Sequence, residues 1–141
     1  MESKVFEALA KKVSQEPYAQ LLGLNLKKVS EGYALVEMTF REEMRNILGN
    51  THGGAIFSLI DEAFEIASNS HGTVAVALNL NVTYVAPPSP GAILTAEARE
   101  ISLTARTATY LINVTEGENR LIATCQALVY RKRDMLPFLG E

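Results

Sequence analysis

The sequence has a single cysteine, no long apolar run and no excess of basic residues. Cys125 cannot form a disulfide within the chain, and its place in an alternating apolar stretch predicts a core residue rather than a reactive thiol. No stretch reaches the roughly 18 apolar residues that cross a membrane. The net charge of -3 gives no basic field that would draw the chain to nucleic acid or to an anionic membrane. We therefore expect neither as a partner.

The composition is that of an ordinary folded domain. Hydrophobic residues make up 48% and charged residues 21% of the 141 positions, which lies outside the polar, highly charged range of disordered chains. The length favours a single domain over residues 1–141. The start of the chain mixes charged with apolar side chains and does not look like a secretory signal, so we expect a cytoplasmic protein.

The hydrophobic periodicity predicts one helix, two strands, a second helix and four further strands. These elements are expected at residues 3–15, 24–30, 33–40, 54–68, 74–85, 92–102, 106–116 and 120–131. The second helix is apolar over most of its circumference and should be largely buried. In the third strand, alternate residues from Val74 to Tyr84 are apolar, which predicts one apolar face. The order of elements indicates an α+β fold with an antiparallel sheet wrapped around one helix.

A carboxylate in the middle of the apolar helix is the first sign of chemistry. Asp61 follows Ile60 and precedes Glu62, and burying a carboxylate costs several kcal/mol unless it is compensated. The structural alternative is that Asp61 and Glu62 both lie on a narrow solvated strip of the helix.

The segment before this helix supplies an amide, an imidazole and two glycines: Asn46, His52, Gly53 and Gly54. Glycines let a ligand approach the backbone, and the free amides of a first helical turn carry partial positive charge. Such a site can hold a developing oxyanion beside a carboxylate that activates water or attacks directly. Taken alone, a glycine pair is a weak signal, and a histidine at a helix start usually caps or packs.

Taken together, these residues are a more specific signal of function than any one of them alone. Asn46, His52-Gly53-Gly54 and Asp61, with six residues from Asn to His and nine from His to Asp, resemble the signature of hotdog-fold thioesterases of the PaaI type. The resemblance covers nearly the whole chain. It implies a hotdog fold, in which the sheet curls around the central helix, and hydrolysis of an acyl- or aryl-acyl-CoA to free acid and coenzyme A.

The resemblance also implies residue roles. Gly53 would offer its N–H to the thioester carbonyl, and Asp61 would be the general base or the nucleophile. Asn46 would orient the attacking water or the carboxylate, and His52 would hydrogen-bond within the site and hold the loop. The residues expected to bind substrate are Gly54, Phe57, Asn79, Asn81 and Arg106. Several relatives carry Ser or Thr where this chain has Ala77, and Asn79 or Asn81 on the same face could replace it.

The active site is expected to span two chains. Residues 52 and 61 are nine apart, about 900 degrees around a helix, so they lie on opposite sides of it. The resemblance implies that the carboxylate comes from the neighbouring subunit, which fits a symmetric homodimer or a homotetramer built from two dimers.

No cofactor is expected besides the coenzyme A that is part of the substrate. A metal is not expected either, because His52 and His71 lack ligand spacing. Arg106 is the favoured partner for the phosphates of coenzyme A. Met44 to Leu48, Phe57 and Phe64 are expected to shape the acyl pocket.

Three other functions compete with hydrolysis. One is a hydratase on the same fold, which usually has a different arrangement of histidine and carboxylate. The second is a non-catalytic acyl-CoA-binding module. The third is a plain α+β domain in which Asp61 is only structural.

Overall fold

The computed structural model describes residues 2–141, and every predicted helix and strand is present. The helices are α1 (Glu2–Gln15), α2 (Pro17–Leu22) and α3 (Gly53–Asn69), with a short 3-10 turn at Glu42–Met44. The strands are β1 (Asn25–Ser30), β2 (Tyr33–Thr39), β3 (Thr73–Tyr84), β4 (Ile93–Leu103), β5 (Thr107–Glu116) and β6 (Arg120–Met135). The sequence pattern did not predict α2 as a helix, and it ended β6 too early. Within residues 2–141, no helix has both the length and the apolar character needed to cross a membrane.

The six strands form one antiparallel sheet around α3. Their order is β1-β2-β4-β5-β6-β3, and α3 contacts all of them. Eleven residues of α3 are buried, including Leu59 and Ile60, which have no solvent exposure. The prediction of a largely buried helix inside an antiparallel sheet is confirmed, and so is the core position of Cys125, which is 1% exposed.

A bulge in β3 changes which of its residues face the core. The register with β6 shifts between Ala77 and Asn79, so Leu78 has no direct partner. Residues paired directly across an antiparallel ladder lie on the same side of the sheet. Ala77 pairs with the buried Val129, whereas Asn79 pairs with Leu128 on the other side.

Two predictions about this strand are therefore wrong. The apolar residues before and after the bulge do not share a face, because Val76 lies on the outer side and Leu80 on the core side. Asn79 and Asn81 lie on the side opposite to Ala77, so neither can replace a Ser or Thr at that position. A bulge inserts one extra residue and reverses the alternation beyond it.

The two edge strands of the sheet are protected differently. β1 carries Lys27 and Lys28 and has an irregular register after Leu26, and both features discourage further strand pairing. β3 has no charged residue in its twelve positions, and Val76 and Leu78 are 39% and 58% exposed. A long, apolar, uncharged edge of this kind is suited to pairing with a strand of another chain.

Truncating Leu59 should test the packing of α3 against the sheet. We expect Leu59→Ala to lower the free energy of unfolding by about 2–5 kcal/mol, because a buried leucine leaves a cavity behind. Leu103→Ala, at a residue that is 47% exposed, is the matched control and should cost less than about 0.5 kcal/mol. Urea titration of both variants measures the difference, and equal losses would contradict this packing.

Candidate active site

Asn46 organises the loop that leads into α3. Its Oδ1 accepts hydrogen bonds from the N–H groups of Leu48 and Asn50 at 2.9 and 3.1 Å, and its Nδ2 donates to the Thr51 carbonyl at 3.4 Å. Its own N–H donates to the carbonyl of Asn50 at 2.7 Å. Within one chain the Asn46 side chain is thus engaged by its loop, and its role in orienting water or the carboxylate stays a prediction.

His52 is the N-cap of α3. Its Nδ1 accepts a hydrogen bond from the Gly54 N–H at 2.8 Å, and its own N–H donates to the Met44 carbonyl at 2.6 Å. Because Nδ1 accepts, the neutral imidazole carries its proton on Nε2. This Nε2–H has no partner within residues 2–141, so it is available as a donor beside the helix start.

Gly53 presents a free backbone N–H at the positive end of α3. No acceptor for this N–H occurs in the part of the chain that the structure describes. Tyr84 of β3 donates its hydroxyl to the Gly53 carbonyl at 3.0 Å, and a Cβ on Gly53 would lie 3.3 Å from Tyr84 Cζ. The helix dipole gives this N–H partial positive charge, and the contact with Tyr84 fixes the orientation of the peptide group. The N–H is therefore suited to bind an oxyanion. The contact with Tyr84 was not predicted from the sequence, because that residue is distant in the chain.

Asp61 lies well away from Gly53. Eight residues at 1.5 Å per residue separate the two by roughly 12 Å along the helix axis. Asp61 is solvent-exposed in the single chain, yet the crowding of its carboxyl by neighbouring atoms, and then the charge of Glu16, raise its pKa above the ordinary value. A raised pKa makes the carboxylate a stronger base toward water.

The charge of Asp61 also acts on Cys125 of β6. Burial, and to a smaller extent the charge of Asp61, raise the pKa of this thiol to about 11. Cys125 pairs with Val82 across the sheet.

The buried carboxyl group of α3 is Glu62 rather than Asp61. Glu62 is 5% exposed, and carboxyl oxygens of Glu16, Glu62 and Glu65 lie within 4.8 Å of one another. Burial is the main cause that raises the pKa of Glu62 to about 10 and that of Glu65 to about 7, and the nearby Glu16 adds to both shifts. The expectation that a carboxylate buried in this helix must be compensated thus applies to Glu62. The sequence did not predict the cluster because Glu16 comes from another element.

Of the residues expected to shape an acyl pocket, some are buried in the core and others remain accessible. Phe64 and Met44 are 1% and 4% exposed, and the Phe64 ring packs edge-to-face on Tyr110 with centroids 5.7 Å apart. These two residues belong to the core, so the prediction that they line a pocket is wrong. The apolar side chains that remain accessible near the start of α3 are Ile47, Leu48 and Phe57.

The structure limits how three other predicted binding residues, Gly54, Asn79 and Asn81, could contact a substrate. The Gly54 N–H is already bound by His52. Asn79 and Asn81 are exposed on the outer side of β3. Their contacts with substrate stay predictions, as does that of Phe57.

Arg106 lies at the far end of the sheet from the start of α3. Its Nη1 donates to the hydroxyl of Tyr130 at 3.0 Å, and its carbonyl accepts from Arg131, which pairs with Ala75 of β3. Nine strand residues, roughly 30 Å, separate Ala75 from Tyr84. One chain therefore does not bring Arg106 to the oxyanion donor.

Known proteins show the same fold and a related sequence. The family model of the Thioesterase superfamily matches residues 48–123. A putative esterase of Archaeoglobus fulgidus is 44% identical over 118 residues, which are 84% of this chain and 77% of that protein. The acyl-coenzyme A thioesterase PaaI of Escherichia coli is 34% identical over 113 residues, which are 80% of this chain and 81% of that protein.

The chain belongs to the Thioesterase superfamily. The solved structure of the Escherichia coli PaaI protein superposes with a TM-score of 0.90 at 29% identity and covers 96% of this chain and 98% of that one. The predicted hotdog fold, the PaaI-type resemblance and the prediction of a thioester hydrolase are therefore confirmed. The matched range includes His52, Gly53 and Asp61, whereas Asn46 lies before it.

Replacing Gly53 by proline and by alanine should show whether the residue acts through its backbone N–H or through the absence of a side chain. Proline removes the N–H and fits the first helical position, and the His52 ψ of 131° suits a residue before proline. Gly53→Ala adds a Cβ against Tyr84 but keeps the N–H. We expect Gly53→Pro to lower kcat for thioester hydrolysis roughly 10²- to 10³-fold and Gly53→Ala to lower it much less, with circular dichroism checking the fold. Equal losses would assign the effect to crowding.

Proposed function

We propose that two copies of this chain form an acyl-CoA thioesterase in which Gly53 of one copy and Asp61 of the other act on the same thioester. The observation that carries this proposal is the separation of the two residues on one buried helix. A rigid helix cannot bring groups roughly 12 Å apart along its axis to one carbonyl. The named relative PaaI is an acyl-coenzyme A thioesterase, which supports the substrate class.

The free edge of β3 is the surface that we infer to join the two copies. It is uncharged along its length and exposes Val76 and Leu78, and antiparallel pairing with a second β3 would satisfy its unpaired backbone groups. Such a contact places a two-fold axis across β3 and gives each copy the same surroundings.

The position of the axis along β3 decides whether the half-sites meet. Gly53 contacts Tyr84 at the end of β3, and Asp61 lies roughly 12 Å further along α3. Antiparallel pairing of the two β3 strands also runs the two α3 helices in opposite directions, and a suitable register brings Asp61 of one copy toward the partner subunit's Gly53. Two equivalent sites result, each with one oxyanion donor and one carboxylate.

The reaction then follows from these groups. The Gly53 N–H polarises the thioester carbonyl, and the ionised Asp61 either takes a proton from a water molecule that attacks the carbonyl carbon or attacks it directly. The carbonyl oxygen gains negative charge, which the N–H and the helix dipole stabilise. Collapse of this intermediate breaks the C–S bond, and the thiolate of coenzyme A leaves and takes up a proton. A direct attack leaves an anhydride that water hydrolyses to the acid.

The substrate is inferred to be an acyl- or aryl-acyl-CoA, because the apolar side chains of Ile47, Leu48 and Phe57 remain accessible near the start of α3. No further cofactor is expected, since all atoms of the reaction come from the thioester, water and the protein. Arg106 is kept as a candidate for the coenzyme A phosphates. A homotetramer, a cytoplasmic location and a single domain over residues 1–141 also stay predictions.

Release of free thiol from a panel of aliphatic and aryl acyl-CoAs tests the proposed function. We expect the wild-type protein to release thiol and Asp61→Asn to reduce kcat at least 10²-fold, because the amide cannot accept the proton of water. Asp134→Asn makes the same change on β6 at an exposed position and should leave kcat unchanged. Unaltered release by Asp61→Asn would contradict the role of Asp61, and no release from any substrate would favour a non-catalytic acyl-CoA-binding module.

A further inference from the structure

Three glutamate side chains converge beside α3 without a compensating charge. Glu16 comes from the junction of α1 and α2, and Glu62 and Glu65 come from α3. Their carboxyl oxygens lie within 4.8 Å of one another. Among residues 2–141, no lysine, arginine or histidine forms a salt bridge with any of the three.

Two oxygens of this cluster are buried and have no hydrogen-bond partner. They are Oε1 of Glu16 and Oε2 of Glu62. Glu62 is 95% buried, as its 5% exposure shows, and its carboxyl group belongs to the cluster. An unpaired buried carboxylate costs several kcal/mol, so these oxygens need a proton or a cation to compensate them.

We propose that Glu16, Glu62 and Glu65 form a binding site for a hard divalent cation of the Ca²⁺ class. All three ligands are carboxylates and none is a cysteine or a histidine, which is the donor set of Ca²⁺, Mg²⁺ and Mn²⁺ rather than of Zn²⁺. Oxygens around one Ca²⁺ can be up to about 5 Å apart, twice the Ca–O bond of about 2.4 Å. The separation in the cluster fits one shared ion of this size.

A groove gives a cation access to the site. The groove has a volume of about 620 Å³ and lies between α1, α3 and the C-terminal segment, and Glu16 and Glu65 form part of its wall. Water in the groove can supply the remaining ligands that Ca²⁺ needs beyond the three carboxylates. The bound ion would tie the junction of α1 and α2 to the middle of α3.

Thermal unfolding of the full chain, freed of metal with a chelator and then dialysed, tests the cation site with CaCl₂ as the probe. We expect the melting temperature to rise by roughly 5 °C and to saturate with added CaCl₂, because a ligand that binds only the folded state stabilises it. Isothermal titration calorimetry should give about one Ca²⁺ per chain. MgCl₂ and MnCl₂ test the rest of the class.

Neutral variants show whether the cluster is the site. Glu62→Gln keeps the shape of the side chain and should abolish the rise, and Glu65→Gln, at an exposed position, should weaken it even if Glu62→Gln folds poorly. Glu7→Gln removes the same charge from the exposed side of α1 and should leave the rise intact. The proposal is overturned if none of the three cations binds, or if the rise persists in both cluster variants. Neither result depends on thioesterase activity.

Discussion

The enzyme depends on how α3 is held inside the curled sheet. The helix buries most of its surface against the strands, and this burial fixes both its axial position and its rotation. Gly53 is thereby held at the helix start against Tyr84, while Asp61 is carried two turns further along. A well-packed helix does not bend to bring the two together. In the proposed dimer, Gly53 and Asp61 of one chain therefore belong to different sites.

Because the proposed site needs two chains, the difference between the two edge strands of the sheet becomes important. β1 is closed to pairing by lysines and an irregular register, while β3 is long, uncharged and apolar. The open edge is also the strand whose Tyr84 contacts Gly53. Association through β3 would satisfy the strand and complete the sites in one step. In this account the sites and the dimer contact share one cause.

The fold and the start of α3 could be predicted from sequence because both follow local patterns. Periodicity gave the strands and the buried helix, and the glycines after His52 marked the helix start. What could not be predicted depends on contacts between distant elements. The bulge at Leu78, the contact of Tyr84 and the meeting of Glu16 with Glu62 are set by the packing of the sheet on α3. No short sequence pattern predicts these three features.

Complementation between two inactive variants tests the shared site most directly. Co-expressed Asp61→Asn and Gly53→Pro chains form about half mixed dimers if association is random, and one of the two sites in each mixed dimer is intact. Activity should therefore recover to about a quarter of that of the wild type, whereas each variant alone is inactive. A chain carrying both changes, mixed with wild type, should form mixed dimers with no intact site. Absence of recovery, with full activity of the wild-type chain in the second mixture, would contradict a site shared between two chains.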